Sequence, residues 1–80
     1  MRIDKFLKVS RLVKRRPIAK EMADQGRIRV NYKVVKSSYE VKLGDLIEVG
    51  YGSRTVKAKV CAIRETTKKA EASELYELVD

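Results

Sequence analysis

Residues 2–31, RIDKFLKVSRLVKRRPIAKEMADQGRIRVN, hold two helical patterns, a glycine stop and the start of a strand. Ile3, Phe6 and Leu7 fall at i, i+3 and i+4 on one helical face, while Arg2, Lys5 and Lys8 share the neighbouring face. The first helix therefore has one side for a core and one for an anion. Its pattern fails at Val9, which would land among the basic residues, so the helix is expected to end near Val9 or Ser10. Arg11 to Arg16 form a basic connection. Pro17 suits the first position of a second helix, where its missing N–H would have no intrahelical acceptor. Ile18, Ala19, Met22 and Ala23 give that helix a buried stripe, and Gly26 stands where a left-handed residue usually ends one.

After Gly26 the period becomes twofold. Ile28 and Val30 alternate with Arg27, Arg29 and Asn31, a strand turning at Asn31-Tyr32-Lys33. A second turn, Val41 to Gly44, leads into Asp45 and a strand carrying Leu46, Ile47 and Val49. Gly50-Tyr51-Gly52-Ser53 then makes a hairpin into a strand from Arg54 to Ile63. Thr66-Thr67 can cap a short helix from Lys68 to Leu75, and Tyr76 to Val79 reads as an edge strand. The expected fold class is α+β, with two N-terminal helices packed on a small, mostly antiparallel sheet of three to five strands and a short C-terminal helix. Residues 1–80 read as one domain, without repeat, low-complexity stretch or linker.

Charge is segregated along this chain. Between Met1 and Lys20 lie Arg2, Lys5, Lys8, Arg11, Lys14, Arg15, Arg16 and Lys20 against Asp4 alone, a balance of +7 out of a total of +8. Such asymmetry points to a polyanion, of which nucleic acid is the commonest. A solvated face that merely maintains solubility is the alternative, but solubility does not require segregation. An enzyme fits poorly. A domain of this size buries only about 60 to 65% of its unfolded surface, leaving little room for a deep pocket. With no histidine and a single cysteine, the chain lacks the usual general base and zinc ligands, so no metal or cofactor is expected. Cys61, in an alternating stretch, reads as a filler near the sheet, since no His is present to activate it. No apolar run approaches the roughly twenty residues of a membrane span and no signal-peptide core opens the chain, so the expected compartment is the cytoplasm.

Within the basic segment, the start of the second helix is the sharpest candidate. Arg16 stands before Pro17 where a Ser, Thr, Asp or Asn cap would be usual, which leaves the first-turn N–H groups to an outside acceptor amid Arg15, Arg16 and Lys20. A phosphate suits that place, although water can also cap the turn. Arg16 can fork bidentately onto a phosphate or a guanine edge, as Lys cannot. Phe6 is turned to the core, which leaves Tyr32, at a turn tip, as the one aromatic placed to stack on a base; a surface turn residue with no partner is the preferred reading of it, and recognition by shape and backbone is expected. Two readings of Asp4 stand side by side: it pairs with a neighbouring Arg and orients it, or it sits in the first helical turn, where the dipole favours a carboxylate. A DNA-binding regulator is disfavoured, because helices this short offer little base-reading surface.

Arg2-Ile-Asp-Lys-Phe-Leu-Lys, Arg11 to Lys20, Gly26-Arg-Ile-Arg-Val-Asn31 and Val41-Lys-Leu-Gly-Asp-Leu-Ile-Glu-Val49, in that order, resemble the S-four RNA-binding domain, named after a small-subunit ribosomal protein. The whole chain, with Thr66-Thr67-Lys68-Lys69 near its end, is similar to the short bacterial RqcP group of ribosome-associated quality control. It departs from the family pattern at Pro17, Tyr32 and Leu43. The resemblance implies a non-enzymatic, ribosome-associated factor. It would bind rRNA of the large ribosomal subunit and peptidyl-tRNA, and hold the tRNA in the P site while an RqcH-type partner directs alanine tailing of a stalled chain. Arg2, Asp4, Lys5, Lys8, Arg11, Arg15, Arg16 and Lys20 inherit the RNA-binding surface by position, and Lys14 joins them by its charge. A monomer is expected, with no membrane partner. The alternative within binding is a free-standing S-four domain on another structured RNA, such as tRNA or a messenger leader.

Overall fold

The computed structural model describes residues 1–65 and 67–79. Helix α1 (Ile3–Val9) buries Ile3, Phe6 and Leu7 completely, as their spacing predicts. Val9 is also buried, not placed among the basic residues, because a later segment crosses the helix end: the Thr67 hydroxyl donates to the Val9 carbonyl at 2.9 Å. Helix α2 (Arg16–Asp24) begins at Arg16, with Pro17 one position further in than expected. The missing proline N–H still falls among the first-turn donors that lack intrahelical acceptors. At the other end Gly26 takes φ +75°. Its N–H donates to the Ala23 carbonyl at 3.0 Å and that of Arg27 to Met22 at 2.9 Å, the paired bonds of a Schellman stop.

Among the described residues, five strands form one antiparallel sheet: β1 (Ile28–Val30), β2 (Lys33–Val34), β3 (Leu46–Tyr51), β4 (Arg54–Val60) and β5 (Tyr76–Val79), in the order β2-β1-β3-β4-β5. Val30, Ile47 and Ala58 pair across β1, β3 and β4, placing successive buried side chains on one face. That face meets α1 and α2 around Phe6, Ile28, Ile47 and Val49. The β1–β2 turn puts Asn31 at φ +51° and Tyr32 at φ +70°, the two left-handed positions of a type I′ hairpin.

The C-terminal part differs from the sequence expectation. β4 ends at Val60 rather than Ile63, because the Cys61 and Ala62 amides turn to the Leu75 carbonyl at 2.8 and 3.2 Å. The short C-terminal helix, Lys69–Leu75, is a 3-10 helix whose N-cap is Lys68, without a side-chain cap. The expected threonine cap is not made by Thr67, whose hydroxyl serves Val9; Thr66 lies outside the described residues. Cys61 is exposed at the end of the sheet.

Three backbone hydrogen bonds fix the N-terminus. The amides of Ile3 and Asp4 donate to the carbonyls of Tyr39 (2.7 Å) and Ser37 (3.3 Å), and that of Val41 donates to Met1 (2.9 Å), so that Arg2 lies opposite Glu40 as in an antiparallel bridge. The segment 37–41 is itself held by Asp45, which accepts from the Tyr39 hydroxyl at 2.9 Å, the Lys42 amide at 2.9 Å and the Asn31 side chain at 3.2 Å. Arg2 and Asp4 are thereby placed by the sheet end of the molecule before any side chain of the basic face is considered.

Candidate nucleic-acid interface

Asp4 organises the basic face. Its side chain is 4% exposed, and its carboxylate accepts from the Arg2 guanidinium at 3.2 and 3.3 Å and from the Lys5 amide at 2.8 Å. The Nε of Arg16 lies 3.4 Å from the same carboxylate. Asp4 thus does both things that the sequence left open: it occupies the first turn of α1 and it orients arginines, two of them from different stretches of chain. Both arginine side chains remain nearly half exposed, at 44% and 46%. Arg2 is hydrogen-bonded by its Nε and one terminal nitrogen and Arg16 is only ion-paired, so each keeps N–H donors for a ligand.

Arg16 stands between two hollows. One, of about 430 Å³, is lined by Arg2, Asp4, Arg16, Pro17 and Lys20. It opens at the start of α2, whose N-cap residue Arg15 makes no side-chain cap and whose first turn holds no acid. The helix dipole, first-turn N–H groups without a side-chain cap and the flanking cations give that hollow a chemistry suited to an anion. The other hollow, of about 360 Å³, gathers Lys5, Lys8, Arg11 and Arg16. Lys14 stands apart from both, beside the apolar recess of Leu12, Ile18, Met22 and Tyr51, and Arg15 is exposed. Tyr32 is 68% exposed at the β1–β2 turn, outside these hollows.

Three contributors came from beyond the basic segment and had no local signal in the sequence. Glu65 and Thr67 reach α1 from the far end of the chain. Tyr51, at the end of β3, donates its phenol to the Leu12 carbonyl and so ties down the turn between α1 and α2. That turn contains Arg11 at φ +63°, a conformation a non-glycine residue adopts only when its surroundings hold it. Tyr51→Phe is expected to cost about 0.5–1.5 kcal/mol, read as a fall of several degrees in melting temperature. Burial, then the neighbouring Tyr76, pushes the Tyr51 phenol above its ordinary value, with Arg54 opposing. The unfolded chain releases this proton first, so the phenol's contribution is present below about pH 10 and lost as pH rises through the folded value. Melting followed into alkali should therefore show a steeper loss in the parent than in Tyr51→Phe.

A basic helical pair seated on an antiparallel sheet, with its cations braced for an anion, defines an S4-type RNA-binding protein, and the S4 domain family model matches residues 1–47. Over 79 residues the chain is 52% identical to the RQC P-site tRNA stabilizing factor of Bacillus subtilis (strain 168), covering 99% of this chain and 92% of that protein. It is 47% identical, again over 79 residues, to the protein of the same name in Streptococcus pneumoniae, covering 99% and 90%. The fold is similar to the trimeric structure of Vibrio cholerae Heat Shock Protein 15, with a TM-score of 0.92 and 28% identity over 99% of this chain and 81% of that one. The chain belongs to the S4-domain family of RQC P-site tRNA stabilizing factors. Among the described residues no helix is long and apolar enough to cross a membrane.

Proposed function

We propose that residues 1–80 act as a single, non-enzymatic S4-type RNA-binding domain, a cytoplasmic monomer that binds the large ribosomal subunit through rRNA and peptidyl-tRNA. There it stabilises P-site tRNA during rescue and alanine tailing of stalled chains, beside an RqcH-type factor. The observation that supports this reading is the cluster at Asp4, whose buried carboxylate is hydrogen-bonded by Arg2 and ion-paired with Arg16 beside an uncapped helix start. Loose surface cations for solubility have no use for a buried carboxylate that orients them. The names of its relatives supply the ribosomal context. Arg2, Asp4, Lys5, Lys8, Arg11, Lys14, Arg15, Arg16 and Lys20 form the interface, with Arg2, Asp4 and Arg16 at its centre and Lys14 and Arg15 at its margin.

Sedimentation through a sucrose gradient tests the proposal. The protein should comigrate with free large subunits; absence from every ribosomal fraction would assign it to another structured RNA. The same association should be strongly salt-dependent. If about four to six phosphates are neutralised, log affinity should fall against log salt with a slope of roughly −3 to −5, and a slope near zero would remove the basic face from the interface.

A further inference from the structure

A second carboxylate, Glu65, stands among the cations of the second hollow, and unlike the buried Asp4 it is exposed to whatever enters there. Glu65 forms an ion pair with Lys5 across 60 positions of sequence. Two positions on, the Thr67 hydroxyl is bonded to the Val9 carbonyl, which anchors this crossing segment to the end of α1. Glu65 is 76% exposed and Lys5 37%, so the pair lies at the rim of the hollow, and an exposed pair of this kind adds little to stability. The Lys5 ammonium, by hydrogen bond and by charge, holds the Glu65 carboxyl below the usual carboxylate range, which keeps it an acceptor at neutral pH.

Behind Glu65, the hollow of about 360 Å³ presents Lys5, Lys8, Arg11 and Arg16. Any polyanion entering there meets repulsion from Glu65. A ligand that carries a hydrogen-bond donor beside its phosphate recovers that loss by donating to the carboxylate. The ribose 2′-hydroxyl is such a donor, and it is the group by which a protein tells RNA from DNA.

Resting on the RNA-binding reading above, we infer that Glu65 is a specificity-determining residue: it accepts a hydrogen bond from a ribose 2′-hydroxyl while Lys5, Lys8, Arg11 and Arg16 hold the adjoining phosphodiester. Thr67 is a positioning residue in this arrangement, fixing the segment from which Glu65 projects.

The test uses the full chain, fluorescence anisotropy and two labelled hairpins of one sequence, one with ordinary riboses and one with 2′-fluoro riboses. The second keeps the A-form helix and lacks the donor. The parent should bind the ordinary hairpin about 2- to 10-fold more tightly, the net worth of one hydrogen bond. Glu65→Ala should bring the two affinities together, chiefly by strengthening binding of the 2′-fluoro hairpin. Equal binding of both hairpins by the parent, or an undiminished preference in Glu65→Ala, overturns the inference. The double variant Lys5→Ala, Lys8→Ala separates the two levels of argument. If it weakens both hairpins while Glu65→Ala changes no preference, Glu65 alone has been misread; if it binds both as the parent does, the basic face is not the RNA interface and the inference falls with it.

Discussion

Asp4→Asn is expected to weaken binding to large ribosomal subunits by about 10- to 100-fold, although it makes the chain more positive. By Coulomb's law alone, removing a negative charge from a surface that binds a polyanion strengthens binding. Geometry acts in the opposite direction. The carboxylate holds the Arg2 fork at 3.2 and 3.3 Å and lies 3.4 Å from the Nε of Arg16, whereas an amide at that place offers one acceptor and turns N–H donors toward two guanidinium groups. The two guanidinium groups then lose part of their orientation, a loss equivalent to about one charge-assisted phosphate contact of about 1.5–3 kcal/mol. Arg2 and Arg16 are nearly half exposed, so no charge is stranded in the interior and the fold should survive. Arg16→Lys provides the companion measurement: it keeps the charge and removes the fork, and should weaken association in the same direction. Unchanged or tighter binding in both variants would mean that the first twenty residues act as a diffuse field of charge.

Phe6→Ala should cost about 3–5 kcal/mol of stability, because the ring is fully buried between the helices and the sheet. For a domain of this size that corresponds to a fall in melting temperature of more than about 12 °C. Lys5→Ala with Lys8→Ala, one helical face away, should leave the melting temperature nearly unchanged while weakening RNA binding. Thermal melting and binding measured on the same preparations decide the matter. A double lysine variant that melts with Phe6→Ala would show that the two faces of α1 had been exchanged.

Where local pattern and tertiary packing agree, the sequence was legible. Ile3, Phe6 and Leu7 announced α1, Pro17 and Gly26 bracketed α2 to within a residue, and β1, β3 and β4 followed from alternation and from the glycines of the hairpin; of the stripe expected on α2 only Ala19 and Ala23 are buried, Ile18 being 44% exposed. Strand β2 was not legible, because Lys33 and Val34 are both exposed and two residues cannot display a period. The last helix was expected from Ala70, Glu71 and Ala72, which favour helix, but seven residues without a cap and running straight into β5 settle into a 3-10 turn. In the candidate site the cations were legible from composition alone. Their arrangement was not: Tyr51 acts on Leu12 across 39 positions, Thr67 on Val9 across 58 and Glu65 on Lys5 across 60, distances over which no local pattern carries information.

Those separations bear on the order in which the protein is made. Translation delivers the N-terminus first, so the segment carrying +7 leaves the ribosome before Ser37, Tyr39, Tyr51 and Thr67 do. During that interval it has charge without shape. A chain arrested there, or a peptide cut after Lys20, is a flexible polycation that binds RNA of any form through counterion release. Completion of the last strands, and not the appearance of the arginines, is the event that converts indiscriminate attraction into recognition of a particular surface.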